Sequence, residues 1–174
     1  MKQTMTRSMA KAMYEALTSL PLGHLASEDL GKVMDNIAAI SIPYEQIDKL
    51  LKELGKRLFE GKDEEEIRTF NNMLTLASKT EDIAKTAAIH KSLEAEHPEL
   101  YGLFKKQNEV RRTLLSKEVE VELSEVDKLT FIKAVLKGDP NVPVAEFDLF
   151  EMMFAQDAKE ATTEDFSELD ELLK

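Results

Sequence analysis

The stretch Leu100-Tyr101-Gly102-Leu103-Phe104-Lys105-Lys106-Gln107-Asn108-Glu109-Val110-Arg111-Arg112-Thr113-Leu114-Leu115-Ser116-Lys117-Glu118-Val119-Glu120-Val121-Glu122-Leu123 changes its period part-way along. Leu100, Leu103, Gln107, Val110 and Leu114 recur at steps of three and four, which places them on one face of a helix opened by Pro98. From Lys117 the chain alternates charged and apolar residues strictly, so Val119, Val121 and Leu123 line one face of a strand. The fold class follows: mainly α, a helical hairpin or bundle with one short β element near residues 118–123. A single strand cannot satisfy its own backbone. Its partner is expected from Val142–Val144, from a second copy of the chain or from a client protein, which makes Val119, Val121 and Leu123 candidate partner-binding residues. The helical seam is too short for a free-standing coiled coil and is expected to pack within the chain.

Towards the N-terminus the period is helical throughout. Met5, Met9, Ala12, Met13, Ala16, Leu17 and Leu20 form one stripe, ended by Pro21 and Gly23, and a Met-rich stripe of this kind is expected to pack into a core. Ser27 suits an N-cap, with Glu28 and Asp29 in the first turn, before a helix carrying Leu30, Val33, Met34, Ile37 and Ile40. Pro43 follows Ser41 closely and is expected to start a third helix bearing Ile47, Leu50, Leu51, Leu54 and Leu58, closed by Gly61. Asp63 and Glu66 announce a helix with Ile67, Phe70, Leu74 and Ala77 inward. Thr80 is a candidate cap for a further segment with Ile83, Ala84, Ala87 and Leu93 facing inward, and the pattern fits one interrupted helix as well as two.

Beyond the strand, Ser124 is expected to begin a helix through Val126, Leu129, Ile132, Val135 and Leu136, stopped by Gly138-Asp139-Pro140. Residues 144–154 are dense in large apolar groups. Residues 1–155 are therefore expected to form a single helical domain with the small β element. Residues 156–174 form an acidic tail whose Phe166, Leu169 and Leu172 have the spacing of a docking helix or of a helix packed on the body.

Composition narrows the functional classes. The chain of 174 residues has no cysteine, which excludes disulfides and thiol chemistry. No run of about eighteen apolar residues occurs, so no membrane span is expected, and the start of the chain lacks the apolar stretch of a secretion signal. A net charge of -11, from 34 acids against 23 bases, disfavours direct nucleic-acid binding and favours a partner with a basic surface.

Catalytic patterns are not evident. The six glycines form no phosphate loop, dinucleotide fingerprint or nucleophile elbow, so no cofactor and no enzymatic activity are expected. Glu94 and His97 make a Glu-x-x-His pair with His90 on the same face, but a carboxylate-bridged di-metal bundle needs two such pairs. Solvated side chains at a helix end are the expected reading.

Glu146-Phe147-Asp148-Leu149-Phe150 resembles the short peptide by which bacterial replication proteins bind the sliding clamp, with Phe147, Leu149 and Phe150 as anchors. That peptide normally starts with Gln and has Leu before the Asp, so Glu146 and Phe147 depart from it. Phe147, Phe150 and Phe154 also have the spacing of a helical core stripe, which is the favoured reading.

A longer resemblance rests on the order of parts: a short N-terminal helix, Leu20-Pro21, a long helical stretch ending Leu54-Gly55-Lys56-Arg57, then Leu114-Leu115-Ser116-Lys117-Glu118-Val119-Glu120-Val121-Glu122-Leu123 and a short helical end. This is similar to an uncharacterised family of small acidic phage and prophage proteins, over about residues 8–60 and 105–154. Pro43 and the helical material between Asp63 and Glu96 depart from the simpler hairpin of that family. The resemblance implies phage origin and brings no catalytic residue.

Together these readings give the expectation of a non-enzymatic, phage-encoded protein-binding protein, a virion component or virion-assembly factor, found in the cytoplasm of a bacterial host cell or in the virion. Its expected partner is a phage structural protein or a basic host protein, with self-association through the strand or the Leu100–Leu114 seam as a linked expectation. One alternative is an acidic DNA mimic that inhibits a host nucleic-acid-binding or defence protein. A second is a sliding-clamp ligand acting through residues 146–150.

Overall fold

A computed structural model describes residues 1–155. The order is β1 (Lys2–Thr6), α1 (Arg7–Ser19), α2 (Ser27–Leu58), α3 (Glu64–Lys79), α4 (Ile83–Glu96), α5 (Pro98–Ser116), β2 (Glu118–Glu122), α6 (Lys128–Gly138) and α7 (Val144–Asp148), followed by a 3-10 turn at Glu151–Met153. The chain is mainly helical with one small antiparallel sheet, as the period change at Lys117 predicts.

The strand's partner is none of the three expected. β2 pairs with β1, residues that the sequence reading left outside any element or assigned to the first helix. The bonds Leu123 N–H to Met1 O and Arg7 N–H to Lys117 O, both 2.8 Å, set the register. Gln3 therefore lies opposite Val121 and Met5 opposite Val119. Met5 and Val121 are buried, while Lys2, Thr4, Thr6, Glu118, Glu120 and Glu122 face solvent. Residues 2–6 are too polar and too short to announce a strand. Only the apolar face of β2 opposite them makes extended backbone favourable there.

Pro43 does not start a helix; it sits inside α2, which runs unbroken through both predicted helices. A proline there removes the N–H bond to the Ala39 carbonyl. What holds it in place is position, because Pro43 is buried and continues the inward row Val33, Asn36, Ile40, Pro43, Ile47 at alternating steps of three and four. The chain, expected to form one domain, is organised as two compact units, and one of the boundaries falls between Ile42 and Pro43. Among the described residues, unit 1 comprises 1–5, 9–42 and 119–155, and unit 2 comprises 6–8 and 43–118.

In unit 1, Met13 and Leu17 of α1 meet Val33 and Ile40 of α2, Val121 and Leu123, and the aromatic side chains of the C-terminal elements in one core. The Met-rich stripe is core, as expected. Phe131 of α6 sits among the rings of Phe147, Phe150 and Phe154, at centroid distances of 6.3, 5.7 and 5.6 Å. Ser124 does not begin a helix, and Val126 lies ahead of α6. The Val126 N–H donates to the Met153 carbonyl and its own carbonyl accepts from Ala155 N–H, which ties the 3-10 turn to the segment after β2. Gly138 ends α6 where a Cβ would come within 2.8 Å of Pro21, so a side chain there would displace the loop after α1.

Asp127 caps α6 by accepting from Thr130 N–H at 2.7 Å. The Thr130 side chain, and then its backbone N–H, hold the Asp127 carboxyl below its ordinary range. A carboxyl with a lowered folded-state pKa stabilises the fold above its unfolded pKa, and that contribution is lost as pH falls through the folded value. Asp127→Asn preserves the cap acceptor and removes the titration. It is expected to flatten the loss of urea stability between about pH 6 and pH 3 relative to wild type. An identical acid limb in both proteins would contradict this.

In unit 2, α3, α4 and α5 close around Phe70, Leu93 and Leu100, with Ile67, Leu74, Ile89, Leu103 and Phe104 packed against them. The α4 cap is Asp82 rather than Thr80, accepting from Ala84 and Lys85 N–H. Gly61, with φ +76°, makes the turn after α2 in the left-handed region that favours glycine. Of the α5 seam, Leu100 and Leu103 lie in this core, and Gln107 lies beside Gly55, where a Cβ would stand 3.4 Å from its Nε2.

Candidate partner-binding surfaces

Most of the sequence-predicted contact residues are core residues. Val121, Leu123, Phe147 and Phe150 are buried, and Val119 and Leu149 are half-buried against the unit 1 core. The strand's apolar face is thus directed inward by its pairing with β1, and does not await a client. The segment 146–150 is a helical turn with its aromatic rings on Phe131, not an extended peptide, so the core reading holds and the anchors of the clamp motif are not on offer in this fold. Phe166, Leu169 and Leu172 lie outside the described residues.

The histidines take separate partners. His97 Nδ1 lies 3.0 Å from Glu66 on α3, and His90 Nδ1 lies 3.3 Å from the Tyr101 hydroxyl. Glu94 pairs with Lys105 at 3.5 Å. The Glu-x-x-His pair is therefore divided between neighbours, and no group of three candidate ligands converges among the described residues.

The surface that stands out was missed by the sequence reading. Ile83, Ala84 and Ala87, expected inward, face solvent together with Ala88, and Ile83 is 86% exposed. α4 buries Leu93 and packs Ile89 on its other side, so it is apolar on two faces. A helix of that kind is normally covered on both. Lys79, Lys85 and Lys91 are exposed nearby in sequence, and α4 carries no acid before Glu94. Leu76, near the end of α3, is also exposed. The signal for this surface was present in Ile83-Ala84 and Ala87-Ala88, whose four-residue repeat fits a contact face as well as a core face.

Comparison with protein-family models, with curated proteins and with solved structures finds no match.

Two further surfaces carry charge. The solvent face of the sheet presents Glu118, Glu120 and Glu122 in a row on β2, opposite Thr6, Thr4 and Lys2 of β1. The Glu122 carboxyl is held below its ordinary range by the hydrogen bond and then the charge of the N-terminal ammonium group, 2.9 Å away. On unit 2, a recess is lined by Ser8 and by Asn108, Arg111, Arg112 and Leu115 of α5. No helix among the described residues is long and apolar enough to cross a membrane.

Proposed function

We propose that this chain is a non-enzymatic, phage-encoded protein-binding protein, a virion component or virion-assembly factor, that holds its partner on the outer face of α4. The observation that supports this is the exposed row Ile83, Ala84, Ala87 and Ala88 on a helix already buried on its opposite side. Small side chains let a second helix approach closely, and the flanking lysines suit a partner helix with an acidic border. The partner in this reading is a phage structural protein, met in the cytoplasm of the host cell or in the virion.

The test is capture from infected-cell lysate by the full chain and by Ile83→Glu. Because Ile83 is 86% exposed, the variant is expected to keep its helical content and unfolding midpoint. It is expected to lose the retained capsid, portal or tail protein by about tenfold or more, as for a contact at the centre of an interface. Equal retention by both proteins would refute the reading.

One observation favours a second reading, the DNA mimic. Glu118, Glu120 and Glu122 make a regular acidic row on a chain of net charge -11. Capture of a basic host protein at low salt, lost at high salt and unaffected by Ile83→Glu, would support it instead.

A further inference from the structure

The recess on unit 2 has a volume of about 540 Å³, within the range of small-ligand sites. Asn108, Arg111, Arg112 and Leu115 recur at steps of three, one and three, so α5 turns one face to it, and Ser8 lines it as well. The chain has 34 acids, yet neither Arg111 nor Arg112 takes part in an ion pair among the described residues. Two adjacent guanidinium groups at one opening repel each other, and an anion seated between them relieves that repulsion. Guanidinium forks match the oxygens of a tetrahedral anion in paired hydrogen bonds. The Asn108 amide and the Ser8 hydroxyl add neutral donors, and the half-buried Leu115 offers apolar surface beside them.

We propose that this recess binds the phosphate group of a small phosphate monoester, with Arg111 and Arg112 on the phosphate oxygens and Leu115 against the organic part. A polyanion such as nucleic acid is a poorer ligand, because a chain of net charge -11 repels it at long range. The recess is distinct from the α4 face, so this site stands whether or not the partner reading does.

Phenyl phosphate and inorganic phosphate, titrated at constant ionic strength into the full chain and followed by amide and guanidinium NMR shifts, test the proposal. Saturable shifts are expected at Ser8, Asn108, Arg111 and Arg112, with phenyl phosphate tighter than inorganic phosphate. Arg111→Gln and Arg112→Gln are each expected to weaken binding about tenfold, the loss of one charge-assisted contact. Lys106→Gln, a charge removed from the same helix outside the recess, is expected to leave it within about twofold. Both arginines are exposed, so far-UV circular dichroism should be unchanged in every variant. Non-saturating shifts spread over all the basic side chains would overturn the proposal, as would phenyl phosphate binding no tighter than inorganic phosphate.

Discussion

Phe131→Ala is expected to lower the stability of the fold by about 3–5 kcal/mol, the usual loss for removing a fully buried aromatic ring. Phe131 has no solvent exposure and touches Phe147, Phe150 and Phe154, which lie in and beside two very short elements. α7 is five residues long and the 3-10 turn three, far too short to be stable alone. Removing the ring they share leaves a cavity and frees them together. Phe131→Leu retains most of the apolar volume and is expected to cost about half as much. Urea unfolding measures both, and a loss below about 1 kcal/mol for the alanine variant would show that these rings do not organise the core.

Asn36→Leu is expected to cost about 2–5 kcal/mol, although leucine is the more apolar side chain. Asn36 is the single buried polar residue among those described, and its amide completes the sheet. Its Nδ2 donates to the Ser124 carbonyl at 3.0 Å, and its Oδ1 accepts from Ser124 N–H at 2.6 Å. Residues of even number around β2 turn their backbone groups away from β1, so at Ser124 the Asn36 side chain stands where a third strand would be. Leucine fills the space but leaves a donor and an acceptor without partners in a partly buried place. Asn36→Asp separates the two, since it keeps the acceptor and sets a charge against the Ser124 carbonyl. Both variants are expected to unfold at lower urea than wild type, and a leucine variant as stable as wild type would contradict the account.

These same residues mark where the sequence was legible. The period change at Lys117 located β2, and the capping acids at Asp63 and Asp82 lie at or near the expected helix starts, because such signals are local. Pro43 reads as the start of a helix and Asn36 is no part of the apolar stripe, yet both occupy core-facing positions of α2, which only the tertiary packing decides. Phe131 escaped notice because the helix was expected from Ser124, which put Leu129 and Ile132 on the inward stripe. The helix starts four residues later, Leu129 is exposed and Phe131 turns inward. β1 was invisible since a short polar strand exists only by virtue of its partner. The α4 surface was misjudged for a related reason: apolar spacing shows that a face will be covered, and not by what.

That surface carries the functional reading. The measurement that tests it most directly is amide hydrogen exchange of the full chain, free and in complex with a partner captured at high salt. Exchange is expected to slow over Ile83–Ala88 in the complex, with the core elements of unit 1 unchanged. Unchanged exchange at α4, with slowing confined to β2 or to residues 144–154, would contradict the account.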